Sequence, residues 1–387
     1  MPLAESNQAM GDSSRRLDPL RVMVLNERDP AHPKAGGAEI HVAEVFRRLA
    51  ARGYEVTLAS SSFPGCKARD EIDGMTVWRF GSIPFYYPRV AYSCIRETRR
   101  NKFDVVVECL NKVPFYSPVY SSVPVLVLCH HLFGEVAFQQ VPWPVAATVY
   151  GTELLIPLLY RVPPFIAISE SSQADLVRRG IAPDRVRVSH CGIDRPNEEP
   201  DTSTPRPMRV AYLGRLQAYK HVDIMLRAVA KLYDRFPDLE VLVIGRGDAL
   251  PSLEALAKEL GISEITRFTG YVSDEERGHL LSRTRVAVCP SGKEGWGLTV
   301  IESNTLGAPV VATNADGLRD SVRDGETGFL VSNLDVDKFA DRIGALLEDD
   351  ALATRMSKAA LEWSHTFDWD VAADEMAEAL EDARCGR

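Results

Sequence analysis

Few folds can accommodate residues 286–312. The segment opens on an unbroken apolar run, Val286-Ala-Val-Cys289. It then passes through Gly292-Lys-Glu-Gly-Trp-Gly297 and ends on Pro309-Val-Val-Ala312. Short apolar runs without polar alternation mark parallel strands buried on both faces. Leu298 to Leu306 lies between them at helical length, so the order is strand, glycine-rich loop, helix, strand. That order is a crossover in a parallel α/β sheet, and ligands of such sheets sit beyond the strand carboxyl ends. Glu294 and Glu302 are separated by seven residues. On one helix they would point about 80° apart. Gly295 and Gly297 break such a helix, so Glu294 belongs to the loop and Glu302 to the first turns of the helix. A helix N-terminus offers free amides and a positive dipole end to an anion, and glycines let that anion reach the backbone. Two carboxylates flanking the anion would accept hydrogen bonds from hydroxyls on either side. A ligand with hydroxyls, a phosphate bridge and more hydroxyls is a nucleotide sugar.

The same pattern of elements fills the chain. Strands are expected at Arg21–Leu25, Glu55–Ala59, Thr76–Phe80, Asp104–Glu108, Val125–Leu128, Phe165–Ile168 and Val186–Val188, with helices at Ala38–Arg52 and Ser171–Gly180. A polar, proline-rich stretch from Glu198 to Pro207 follows. A second series then runs through strand Arg209–Leu213, helix Val222–Phe236, strand Glu240–Ile244, helix Leu250–Leu260, strand Ile265–Thr269 and helix Asp274–Ser282. From Val336 onward the pattern is helical. At 387 residues the chain exceeds a single core. The expectation is an α/β protein of two doubly wound, Rossmann-like domains: a tail over 1–19, an N-terminal domain over 20–195, a linker over 196–207 and a C-terminal domain over 208–367.

The net charge of −9 argues against nucleic acid as a partner. The seven cysteines include no Cys-x-x-Cys and no His/Cys cluster at zinc spacing. Cys109, Cys129 and Cys289 lie in or beside strand runs, where free thiols are common, so a reducing, cytoplasmic setting is expected. Met1 to Leu17 lacks the apolar core of a signal peptide, and no apolar run approaches the ~20 residues that span a bilayer.

Glu294-Gly-Trp-Gly-Leu, Glu302 and Gly307-Ala-Pro-Val-Val together resemble the donor motif of family 4 retaining glycosyltransferases of the GT-B fold. The resemblance covers about residues 20 to 375. It implies two Rossmann-like domains facing a central cleft, with a last helix within 368–387 crossing back to the N-terminal domain. It also implies that Glu294 meets the transferred sugar and Glu302 the ribose, with Gly295, Trp296, Gly297 and Leu298 between them at the donor. Gly214-Arg-Leu-Gln-Ala-Tyr-Lys220 follows the first strand of the second half. An arginine forks onto phosphate oxygens while a lysine supplies a point charge. In the family, the residues matching Arg215 and Lys220 hold the departing diphosphate. Gly245 and Arg246 match a loop near the nucleotide, and Tyr271 and Val272 match the segment framing the base, although ordinary turn and core roles suit that pair equally. Neither metal nor cofactor is expected: the cations supply the positive charge, and the nucleotide-diphosphate sugar is a substrate. No carboxylate is assigned as a covalent nucleophile, because retention in the family is attributed to front-face attack. A sugar-nucleotide epimerase, a glycoside phosphorylase and a non-catalytic sugar-nucleotide-binding protein are the alternatives on this fold.

The acceptor is expected from the first half. Gly36, Gly37 and Glu39 resemble the family's N-terminal glycine loop. His130 best matches the family's strand-end histidine near the transferred sugar, with His131 as its competitor, and both Glu294 and His130 are candidates for a catalytic role beside Arg215 and Lys220. Glu108 and Asn111, which end the preceding strand, are candidates to line the acceptor side. Arg96, Arg99, Arg100 and Lys102 form a short basic run. A solvated helix face explains it best, and the alternative is contact with an anionic membrane surface, at its inner face, that presents a lipid-linked acceptor.

Overall fold

The computed structural model describes residues 19–386 apart from 84, 112, 141, 197–199 and 205. The tail expected over 1–19 therefore lies almost wholly outside the described residues, as does part of the linker.

The first half forms an eight-stranded sheet from β1 (Arg21–Leu25), β2 (Glu55–Ser60), β3 (Arg69–Ile72), β4 (Met75–Arg79), β5 (Val105–Leu110), β6 (Val125–Cys129), β7 (Phe165–Ala167) and β8 (Val186–Val188), in the order β3-β4-β2-β1-β5-β6-β7-β8. The second half forms a six-stranded sheet from β9 (Arg209–Leu213), β10 (Glu240–Ile244), β11 (Thr266–Gly270), β12 (Val286–Cys289), β13 (Val310–Thr313) and β14 (Gly328–Val331), in the order β11-β10-β9-β12-β13-β14. The strands pair in parallel, except that β3 runs antiparallel to β4. In each half the winding reverses beside the first strand, between β1 and β5 and between β9 and β12. Those reversal points open the crevices in which a doubly wound sheet binds its ligands.

The buried strands are the ones with unbroken apolar runs. Val105 to Leu110 are buried throughout. The edge strand β3, Arg-Asp-Glu-Ile, has no such run and was not expected. The strand β14 was also unforeseen, and its order Gly-Phe-Leu-Val is too short for a periodic signal. The helix from Val222 ends at Ala230 rather than Phe236. Residues 231–235 wind as turns toward Pro237, and the residue before a proline avoids the helical region.

The last helix, Trp369–Cys385, packs on the first half. Trp369, Ala372, Met376 and Leu380 share a core with Val22, Val24, Phe46 and Leu49. Arg52 pairs with Asp374 at 2.6 Å, and Arg187 with Asp382 at 2.6 Å. Trp296 and Ile301, from the donor segment, enter the same core. Gly192 is obligatory where the chain passes under this helix, because a Cβ there would stand 2.2 Å from the Trp369 amide nitrogen. No helix of the described residues is long and apolar enough to cross a membrane.

Candidate functional site

The donor loop leaves β12 at Cys289 and returns to helix at Leu298. Gly297 caps that helix, Leu298–Thr305, with φ 90° and ψ 50°. A side chain is strained in that region, and a Cβ on Gly297 would also meet Ser321 Oγ at 2.9 Å. Trp296 turns away from the cleft. It is 2% exposed and packs at a tilt against His190, with ring centroids 4.4 Å apart, and edge-on against Phe367 at 5.0 Å. The donor role implied for Trp296 therefore becomes an anchoring role, which fixes Gly295 and Gly297 on either side of it.

Lys220 ends a short 3-10 turn after β9 and forms an ion pair with Glu294. Burial alone pushes the Glu294 carboxyl up. The Lys220 ammonium, a Ser291 hydrogen bond and the charge of His131 outweigh it and hold the group below the usual carboxylate range. Burial likewise lowers Lys220, but Glu294 outweighs it and raises the ammonium above its ordinary value. Each partner thus keeps the other ionised where water is scarce. Arg215 Nη2 donates to Tyr219 Oη at 3.2 Å. The guanidinium carbon of Arg215 lies 3.5 Å from where a Cβ on Gly36 would stand, and Leu298 Cδ1 lies 3.2 Å from that position on Gly37. Glu39 holds the glycine loop by accepting from the Gly36 amide at 2.7 Å. Arg215, Leu298, Gly36, Gly37 and Glu39 therefore meet across the gap between the two sheets.

The two histidines are separated by the fold. His130 is 1% exposed, and its Nε2 lies 3.1 Å from Nδ1 of the buried His41. His41 in turn stacks on Trp369 of the last helix. His131 is partly exposed, packs edge-on against Phe133 at 4.8 Å and acts electrostatically on Glu294. The geometry thus sets His130, the expected site histidine, among buried groups and leaves His131, its competitor, partly exposed. Adjacent residues leaving a strand point to opposite faces, and here the first faces the core.

Glu108 also differs from expectation. It is fully buried and accepts from the Phe115 amide at 2.8 Å, the Ser117 amide at 2.9 Å, Ser117 Oγ at 2.5 Å and Tyr160 Oη. With its oxygens engaged by the loop after β5, it fixes backbone instead of lining an acceptor site. Asn111 is 4% exposed and donates to Asn26 Oδ1 at 2.9 Å, tying the ends of β5 and β1 together.

On the helix that follows the loop, Glu302 Oε1 lies 2.5 Å from Arg277 Nε. Burial raises the Glu302 carboxyl, with Asp274 and Asp194 adding to the rise and Arg277 opposing it. The Arg246 guanidinium lies 5.2 Å from the ring centre of Tyr271, which is 71% exposed, while Val272 is buried. Gly214 and Gly245 meet backbone to backbone: a Cβ on Gly245 would stand 1.9 Å from the Gly214 carbonyl oxygen. Arg277 and Tyr219 were not legible in the sequence. Arg277 comes from a different element, and no motif marks it. The basic run is partly neutralised, since Arg96 and Lys102 both pair with Glu97. Among the described residues no group of three or more His, Cys, Asp or Glu side chains is placed to hold a metal ion.

Two family models match the chain: "Glycosyltransferase Family 4" over residues 35–195 and "Glycosyl transferases group 1" over 194–363. Among curated relatives, a D-inositol 3-phosphate glycosyltransferase of Streptomyces scabiei is 29% identical over 94% of this chain and 90% of its own length. One from Mycobacterium marinum is 38% identical over 50% of this chain and 44% of its own. Among solved structures, sucrose-phosphate synthase from Thermosynechococcus elongatus superposes with a TM-score of 0.76 at 22% identity, covering 93% of this chain and 98% of that one. Anabaena Alr3699/HepE in complex with UDP and glucose gives a TM-score of 0.72 at 18% identity, covering 94% of this chain and 100% of its own. With both sheets, the facing glycine loops and the Lys220–Glu294 pair in place, the chain belongs to the family 4 retaining glycosyltransferases of the GT-B fold, which take their sugar from a nucleotide-sugar donor.

Proposed function

We propose that the cleft transfers a sugar from a UDP-sugar to a hydroxyl of a small, anionic polyol. The observation that carries this reading is the Lys220–Glu294 ion pair at the mouth of β9, with Arg215 facing the Gly36 loop. Arg215, Lys220 and the amides at Gly297–Leu298 receive the diphosphate. Glu294 takes the hydroxyls of the transferred sugar, and Glu302 takes the ribose. Gly214, Gly245, Arg246, Tyr271 and Val272 frame the nucleoside. As the bond from the anomeric carbon to the phosphate oxygen breaks, the acceptor oxygen bonds to the same face of that carbon. The acceptor proton passes to the departing phosphate, and the two cations stabilise the nucleoside diphosphate formed. His131 and the Gly36–Glu39 loop face the acceptor.

A uridine donor is supported by the UDP bound in the Anabaena neighbour, and an inositol phosphate acceptor by the relatives that are D-inositol 3-phosphate glycosyltransferases. A lipid-linked acceptor delivered at a membrane is a weaker reading, because Glu97 takes up part of the basic run. The buried thiols of Cys94, Cys109, Cys129, Cys191 and Cys289 support a reducing, cytoplasmic setting. The test is nucleoside diphosphate release from UDP-, GDP- and ADP-glucose and from UDP-N-acetylglucosamine, with and without D-inositol 3-phosphate. Acceptor-stimulated release of UDP is expected. Release of GDP or ADP alone would overturn the uridine assignment, and an equal rate without the acceptor would overturn the polyol.

A further inference from the structure

Glu302 has company in the cleft. Arg277, whose Nε lies 2.5 Å from Glu302 Oε1, projects from the helix Asp274–Ser282 that follows the base-side strand β11. Its Nη1 lies 2.9 Å from Asp274 Oδ1 one turn back on the same helix. Asp274, and Asp194 from the segment that leaves β8, act on Glu302 as like charges. The helix that carries Glu302 has no other charged residue. Arg277 is thus the cation that acts on Glu302 among the described residues, and Glu302 is only 22% exposed.

We propose that Arg277 is a positioning residue for the donor: it keeps Glu302 charged and fixes it through Oε1, so that Oε2 accepts from the vicinal hydroxyls of the ribose. This rests on the reading of Glu302 as the ribose ligand. The physical need is plain. A half-buried carboxylate beside two others favours its protonated form. A protonated acid is a weaker acceptor and turns a donor toward hydroxyls that must themselves donate. A guanidinium at one oxygen removes both problems and also stops rotation of the carboxylate plane. Asp274 orients the guanidinium from the other side. No step of the chemistry passes through Arg277, so its effect belongs in donor affinity.

The experiment measures donor KM and kcat by nucleoside diphosphate release at neutral pH and at successively lower pH. The variants are R277A, R277K, E302Q and the double R277A/E302Q. R277A is expected to raise donor KM about tenfold at neutral pH with kcat nearly unchanged, the scale of one charge-assisted contact. The rise should steepen as the pH falls, because Glu302 now takes up a proton that Arg277 otherwise repels. R277K restores the charge and should recover most of the affinity. The double variant should bind no worse than E302Q alone, because Arg277 acts through Glu302. A raised KM in E302Q with a wild-type KM in R277A at every pH overturns the proposal and spares the ribose reading. A fall in kcat and Tm in R277A with an unaltered KM profile also overturns it, since a purely structural role predicts that result. An unchanged KM in E302Q overturns the ribose reading, and the proposal with it.

Discussion

Gly295 rests against the backbone of His130: a Cβ on Gly295 would stand 2.6 Å from the His130 carbonyl oxygen and 3.1 Å from Ile168 Cδ1. Gly295 belongs to the donor loop of the second sheet, while His130 follows the last residue of β6 in the first. This contact sets how closely the two halves approach. A backbone oxygen cannot swing aside as a side-chain tip can, so Gly295→Ala should hold the halves apart. Misplacing reacting groups by about 1 Å costs roughly 10²-fold. A loss of that size in kcat/KM is expected, with little change in Tm because the site is an interface. Wild-type turnover in this variant would show that catalysis does not need the halves this close.

Arg215→Ala and Lys220→Ala should each lower turnover by about 10²–10³-fold, the scale for removing one electrostatic donor from a transition state. Lys220→Met carries a second signature, in stability. The Glu294 carboxyl sits below its ordinary value in the folded chain. Its contribution is therefore present above the ordinary carboxylate range and is lost as the pH falls through the folded value. Without Lys220 that contribution disappears at neutral pH, so the stability gap between wild type and Lys220→Met should be widest near neutrality and close in acid. Urea midpoints across the pH range would test it, and a gap that persists in acid would mean that packing, not charge, was lost.

The histidine pair should split by phenotype. His131→Ala should reduce kcat with the fold intact, whereas His130→Ala should lower Tm. His41, which His130 contacts, is lowered by burial to about 4. The folded state therefore binds fewer protons than the unfolded chain between about pH 6.5 and 4. Stability is complete above that window and falls as the pH drops through it, by about 3 kcal/mol at about 1.4 per unit. His41→Gln should flatten this acid limb. An unchanged limb would place the titration in another group.

Glu302→Gln and Glu294→Gln should fail differently. The ribose is remote from the reacting bond, so loss of its contact raises KM and leaves kcat mostly intact. The transferred sugar changes charge and position during reaction, so loss of Glu294 should lower kcat and kcat/KM together. Donor-hydrolysis kinetics suffice for the comparison. The reverse pattern would exchange the two assignments.

The sequence by itself determined the fold class and the glycine-rich loop that joins β12 to the following helix. Apolar runs such as Val105 to Leu110 have one stable use in a chain of this pattern, as strands buried on both faces. Glycines at positive φ, such as Gly297, mark positions that other residues enter only under strain. These signals are local, so they survive without coordinates. The direction of each side chain was decided by tertiary structure. Neighbours along a strand end differ by a half-turn, and only the docking of helix Gly37–Ala51 and the last helix put His130 in the core, leaving His131 partly exposed. Glu108 looked available until the loop after β5 folded its amides and hydroxyls onto it. Trp296 stood between two donor glycines, yet a large apolar ring gains more by packing on His190 and Phe367 than by facing a polar ligand. Arg277 reached Glu302 because separate elements converge there, and ion pairs between distant segments leave no periodic trace in a sequence.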